Sequence, residues 1–195
     1  YIWGDVERIS PEAPVPVVSL KNKEHRIGGA GNVALNLQSL GAKPFVLSVI
    51  GDDDEADKLS SLFTTQNINS SYCIRSSQRI TTNKTRVISR NQQMMRLDAE
   101  ITNDLCKEDQ EKLVDLFEKF VKEEKPDAII LEDYNKGVLT EALIRVVISV
   151  CKQANIITAV DPKRKNFLQY KNVDIFKPNL KEVKDALNLL FTDVN

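Results

Sequence analysis

The sequence predicts an α/β protein with a mainly parallel sheet, helices on both of its faces and a small additional β-sheet. Three observations carry that prediction. From Lys107 onward, short apolar runs alternate with stretches of helical periodicity, the pattern of a covered parallel sheet. Each of those runs ends in a polar cluster, where ligands of such sheets bind. Residues 72–98 interrupt the alternation with short β-prone runs, Tyr72–Arg75, Thr81–Ser89 and Gln92–Asp98. A length of 195 residues with 42% hydrophobic content suits one domain with a real core.

In chain order, residues 1–13 read as irregular, because the prolines at 11, 14 and 16 remove ladder donors. A strand or extended arm runs to about Leu20. Val33, Leu37 and Leu40 recur at helical spacing, with Ala34 among them, and Gly41 ends that helix. Phe45 to Ile50 is a buried-strand run closed by Gly51. Asp52, Asp53 and Asp54 could be a metal cluster. They read better as a helix N-terminus, since Leu59, Leu62 and Phe63 supply a stripe behind them. The runs at 14–20 and 72–98, with a turn at Asn91, could form a sheet acting as a lid or pairing with a second subunit. Helix 107 onward carries Leu113, Leu116, Phe117, Phe120 and Val121. The strand Ala128–Leu131 leads into Glu132–Gly137, a helix spans about Thr140–Ala154, and Ile156–Val160 leads into Asp161-Pro162-Lys163. Val173–Phe176 leads into Lys177-Pro178-Asn179. Glu182, Val183, Ala186, Leu187 and Leu190 open a last helix.

Gly28-Gly29-Ala30-Gly31-Asn32 precedes the first helix. A helix that starts at a glycine-rich turn offers free N–H groups to a ligand, and glycines let it approach the backbone. Asn32 adds an amide that donates and accepts, which suits a polyhydroxylated molecule. An ordinary loop before a core helix is the plainer alternative.

Composition excludes several classes. A net charge of −1 advertises neither nucleic acid nor an anionic membrane. No apolar run approaches the roughly 20 residues of a membrane span. Cys73, Cys106 and Cys151 are odd in number and far apart, neither a disulfide framework nor a zinc spacing, and read as thiols of a reducing cytoplasm. His25 is the single histidine, so His-pair metal sites are excluded, and no GxxxxGK[ST] phosphate loop occurs. The strand-end clusters Asp133/Lys136, Asp161/Lys163 and Asn179/Glu182 suit phosphoryl transfer, lysines serving as cations and Asp, Asn and Glu serving magnesium directly or through water. Each cluster alone also reads as a solvated loop.

The spacing from Gly28 through Gly41 to Gly51 resembles the first signature of the PfkB/ribokinase family of sugar kinases, with six residues before Gly41 and nine before Gly51. Lys177-Pro178-Asn179-Leu180-Lys181-Glu182 is similar to the family's PN-x-x-E element. Within the family, Arg8–Val17, Ser89–Gln93 with Arg96–Asp98, Asp133–Gly137 and Asp161–Lys163 resemble the kinases that phosphorylate D-glycero-β-D-manno-heptose 7-phosphate at O1 with ATP. The resemblance implies a ribokinase-like three-layer αβα sandwich with a β lid, through which two subunits would pair. It implies that Gly28, Gly29 and Asn32 contact sugar hydroxyls, with Asp133 near the sugar. Arg86, Lys136 and Lys163 become candidates for the sugar phosphate, though exposed surface basics are an equal alternative. Lys163, Asn179 and Glu182 would face ATP, and Asp161, Asn179 and Glu182 would organise Mg2+, indirectly. The family's opening GD-x-x-x-D strand and its later D-x-x-GAGD signature are expected outside residues 1–195. The range then holds one incomplete domain without the catalytic Asp, inactive by itself. Another family member acting on a different sugar, or a non-catalytic sugar-binding or dimerisation module, stays open.

Overall fold

The computed structural model describes residues 1–188; Leu190, expected on the last helix, lies outside them. Strand β1 (Ile2–Ile9) pairs antiparallel with β2 (Pro16–Lys23). The expected irregular start is thus corrected. Asp5, Glu7 and Arg8 hide the usual strand alternation, and the partner strand supplies what propensity lacks. The pairing is close at Gly4, where an added Cβ would lie 2.3 Å from the Ser19 carbonyl oxygen.

Helix α1 (Ala30–Ser39) follows the glycine turn. It ends as its glycine implies: Gly41 adopts φ 89°, and the Ala42 N–H donates back to the Leu37 carbonyl at 3.0 Å. Leu40, expected on the buried face, is 84% exposed. It stands at the C-cap, where the chain has already left the helical path. Strand β3 (Phe45–Gly51) leads to α2 (Asp54–Thr65). Asp53 caps α2, accepting from the Ala56 N–H at 2.9 Å, so the acidic run does mark a helix N-terminus.

Strand β4 (Asn69–Ser76) runs parallel to β3. This corrects the lid boundary, since Tyr72–Arg75 belongs to the core. Strands β5 (Asn83–Ser89) and β6 (Gln92–Ala99) form a hairpin. Arg90 and Asn91 both take positive φ, as a two-residue primed turn requires. The lid sheet therefore has the order β2-β1-β5-β6.

The remaining core comprises α3 (Lys107–Glu124), β7 (Ala128–Glu132), α4 (Glu141–Gln153), β8 (Ile157–Asp161), a 3₁₀ turn at Arg164–Asn166, β9 (Ile175–Phe176) and α5 (Leu180–Leu187). Strands β7, β8 and β9 are parallel and in that order.

Side chains alternate across a strand, and β3 shows the result. Phe45, Leu47 and Val49 face the main core with Leu113, Phe117 and Phe120 of α3, while Val46 packs with Ala34 of α1 and Phe63 of α2. Phe45, Tyr72 and Phe120 contact one another with ring centroids 5.0–6.0 Å apart. The same core continues to Leu131 and Val160, with Ile144, Val147, Ile148 and Cys151 of α4. One layer of side chains thus spans both parallel sheets. The sheets do not pair with each other, and a cavity of about 1480 Å³ is lined by residues 45–50 of β3 and by the whole of β7.

Candidate active site

The cavity between β3 and β7 extends to the glycine turn and to the lid. Its lining includes Gly28, Gly29, Asn32, Arg86, Asp133 and Lys136, so the structure brings together six residues expected to bind substrate. At the turn, Gly29 takes φ 56° and caps α1 with no side-chain hydrogen bond. The first helical turn holds no acidic side chain. Its positive dipole end is therefore unneutralised. An added Cβ at Gly28 would meet nothing within 4 Å, so the backbone is open to a ligand. Gly31 is needed for packing, because a Cβ there would lie 2.6 Å from Ile27 Cγ2 and 3.0 Å from the Phe63 ring.

Asp133 is 3% exposed and its carboxylate is engaged within the chain. It accepts from the Asn135 N–H at 2.8 Å, from Asn166 Nδ2 at 3.2 Å and from the Tyr170 hydroxyl at 2.7 Å. Burial, then the bond to Asp133, pushes the Tyr170 phenol far up, so it remains a donor. Asp133 thereby fixes the shape of the loop after β7. Lys136 in that loop pairs with Glu100 at 2.6 Å. Arg86 donates to the Lys84 carbonyl at 3.5 Å, and its guanidinium lies 5.4 Å from the Tyr1 ring. Among the described residues it has no carboxylate partner.

The second group lies at the ends of β8 and β9. Asn179 and Glu182 form a reciprocal capping box on α5: Glu182 N–H donates to Asn179 Oδ1 at 2.9 Å, and Asn179 N–H donates to Glu182 Oε2 at 2.8 Å. The other oxygen of Glu182 accepts from Lys163, which also lies 3.5 Å from Asp161 Oδ2. Lys177 approaches Asp161 at 3.7 Å. Burial alone would lower the Lys163 ammonium, but the bond to Glu182 and the charge of Asp161 outweigh it and hold its pKa above the ordinary value. Burial likewise favours protonated Glu182, yet Lys163 and the Asn179 N–H hold it below the usual carboxylate range. Among the described residues, no three Asp, Glu, His or Cys side chains converge on a metal position. Direct magnesium ligation by Asp161, Asn179 and Glu182 does not fit this arrangement.

Tyr134 links the two groups. An added Cβ at Gly29 would lie 3.9 Å from its ring, and Lys163 Nζ lies 6.0 Å from the ring centroid. Sequence reading passed over Tyr134, Lys84, Glu100 and Arg79. Tyr134 alone carried a signal, standing inside a strand-end loop.

An α/β core, a glycine-opened helix and a separate β lid together define a ribokinase-like protein. The match to the pfkB family carbohydrate kinase model covers residues 1–195, and the chain belongs to that family, whose members transfer phosphoryl groups to sugar hydroxyls. It is 42% identical over 195 residues to the bifunctional protein HldE of Aliarcobacter butzleri, covering 100% of this chain and 40% of that protein. The chain thus spans about two fifths of the length of the curated relatives it matches. Among solved structures, the tetrameric inhibited form of phosphofructokinase-2 from Escherichia coli superposes with a TM-score of 0.69 at 17% identity. The match covers 98% of this chain and 62% of that one. Ribokinase from Arabidopsis thaliana, complexed with ribose and ATP, gives 0.62 at 14% identity, covering 96% and 59%. At such identities these two show the fold alone.

Proposed function

We propose that this chain forms the sugar-binding part of a kinase that transfers phosphate from ATP to O1 of D-glycero-β-D-manno-heptose 7-phosphate. The observation that carries this is the convergence of the uncapped Gly28–Asn32 turn, Arg86 and Lys136 on one cavity. Donors at a helix N-terminus and the Asn32 amide suit sugar hydroxyls. Arg86, without a carboxylate partner among the described residues, suits a substrate that already carries a phosphate. The 42% identity to HldE supports a heptose phosphate over other sugars.

Within this chain the residues bind and orient. Gly28, Gly29 and Asn32 hold the sugar against the end of α1, while Asp133 keeps the loop bearing Lys136 in place. Lys163 faces the phosphoryl donor, where its charge can offset that of a phosphate. Magnesium supplied with ATP would meet Asp161, Asn179 and Glu182 only through water. Among the described residues β3 and β7 each keep an unpaired edge, which supports reading residues 1–195 as one incomplete domain, with a further strand and the rest of the nucleotide site supplied by other parts of the protein. We also assign the open lid face to a homodimer contact, because Met95 and Leu97 of β6 are more than half exposed. The setting is cytoplasmic; among the described residues no helix is long and apolar enough to cross a membrane.

The test is ATP-dependent phosphorylation by the whole protein that carries this chain, with heptose 7-phosphate, unphosphorylated heptose and fructose 6-phosphate offered in parallel. Preferred turnover of heptose 7-phosphate is expected. Equal turnover of all three would remove the assignment of Arg86 to a substrate phosphate.

A further inference from the structure

Arg79 lies in the segment that joins β4 to β5, the entry to the lid hairpin. Among the described residues its guanidinium donates only to backbone carbonyls, and these belong to two other segments. Nη1 reaches the Asn103 carbonyl at 3.1 Å and Nη2 the Ile101 carbonyl at 3.2 Å. Both carbonyls lie in the segment that returns from β6 to α3. Nη2 also donates to the Lys136 carbonyl, in the loop after β7. One cation therefore satisfies three carbonyls, two from the segment returning from the lid hairpin and one from the core loop after β7.

Two further contacts run along the same line. Glu100, at the end of β6, receives Lys136 at 2.6 Å and Lys84 of β5 at 2.7 Å. The Leu105 N–H donates to the Gly137 carbonyl at 3.0 Å, and a Cβ on Gly137 would lie 1.8 Å from the Asn103 carbonyl oxygen. The return segment is thus seated on the loop, and only glycine permits that seat. Lys136 is held at both ends, its carbonyl by Arg79 and its ammonium by Glu100.

We infer that Arg79 is a positioning residue that ties the two connections of the β5–β6 hairpin to the Lys136 loop, so that the orientation of that hairpin and the placement of Lys136 change together. Arg79 touches no substrate in this scheme. A lysine could replace one of its bonds but not the three-way fork. The consequence for sugar binding rests on the assignment of Lys136 to the substrate site; the mechanical tie does not.

The experiment uses the whole protein carrying this chain, with Arg79→Met, Arg79→Lys and Glu100→Gln. Backbone hydrogen exchange is read first. In Arg79→Met, amides of residues 101–105 and 134–137 should exchange faster together, by about tenfold, as expected for losing bonds from a charged donor. Those of α4 should be unchanged, and Arg79→Lys should fall between. Kinetics come second: KM for the sugar phosphate should rise about tenfold while KM for ATP stays within twofold. Exchange that rises in only one of the two segments, or equally in α4, would overturn the tie. A lowered Tm with both KM values unmoved would remove the consequence for sugar binding and leave the tie to hydrogen exchange. If the wild-type protein turns over no sugar phosphate, the substrate assignment fails, and hydrogen exchange alone decides the tie. If Arg79→Met does not fold, Arg79→Lys and Glu100→Gln carry the same two readouts.

Discussion

The two ends of the candidate site are built on opposite principles. At the glycine turn the chain leaves its own donors unmet: α1 has no side-chain cap and no acid in its first turn. At the ends of β8 and β9 nearly every polar group has found a partner. Asn179 and Glu182 cap each other's backbone, and Lys163 is shared between Glu182 and Asp161. An open end binds a neutral polyol without displacing anything. A closed end must exchange an internal ion pair for a ligand, which suits a highly charged phosphate donor and disfavours weak ligands. Under the proposed function, this contrast would keep the sugar and its phosphoryl donor at separate places.

Substitutions can break this contrast in order of expected effect. The largest and least selective is Phe120→Ala in the core beneath both ends. Phe120 is 2% exposed and contacts Phe45 and Tyr72, so its loss should cost about 3–5 kcal/mol. Chemical denaturation checks the cost, and both KM values of the folded fraction should be unchanged. Next is Gly29→Val, which forces a β-branched residue to φ 56° and closes the open end. Strain of about 1–3 kcal/mol should raise KM for the sugar between about tenfold and a hundredfold, while KM for ATP moves little. An equal rise in both would erase the distinction between the ends.

Glu182→Gln acts on the closed end and should cost about 1 kcal/mol through the lost charge pair with Lys163, while the glutamine amide oxygen can still accept from the Asn179 N–H. The sign of its pH dependence is fixed. Glu182 has a folded-state pKa below its ordinary value, so its stabilisation is present above that value and lost as pH falls below about 4. Thermal melts of wild type and Glu182→Gln should therefore differ at neutral pH and converge in acid. Divergence in acid would contradict the pairing with Lys163. The smallest effect is Met95→Asp on the lid, which should leave both KM values alone and shift only the oligomeric state in light scattering.

Much of this was legible in the sequence. The strand-helix alternation after Lys107, the cap at Asp53 and the glycine turn all rest on local chemistry, and local chemistry is written in neighbouring residues. What stayed hidden was partnership across long separations. Strand β4 reads as β-prone, but nothing local says that it pairs with β3 across α2 rather than with the lid. Asp133 is visible as an acid at a strand end, yet its engagement by Tyr170 depends on a residue 37 positions away. Arg79 looks like a surface arginine until the carbonyls of residues 101, 103 and 136 come together around it. Strand β1 was masked for a related reason, its charged residues being tolerated only because β2 and β5 lie beside it.

The most direct test of the account is Asn32→Ala in the whole protein, with KM measured separately for the sugar phosphate and for ATP. Asn32 lines the cavity at the open end, and the proposed function assigns its amide to the sugar and not to ATP. A rise of about tenfold for the sugar, from one or two lost hydrogen bonds, with ATP unchanged is the predicted result. Equal rises for the two substrates, or a rise for ATP alone, would contradict the placement of the sugar at the glycine turn.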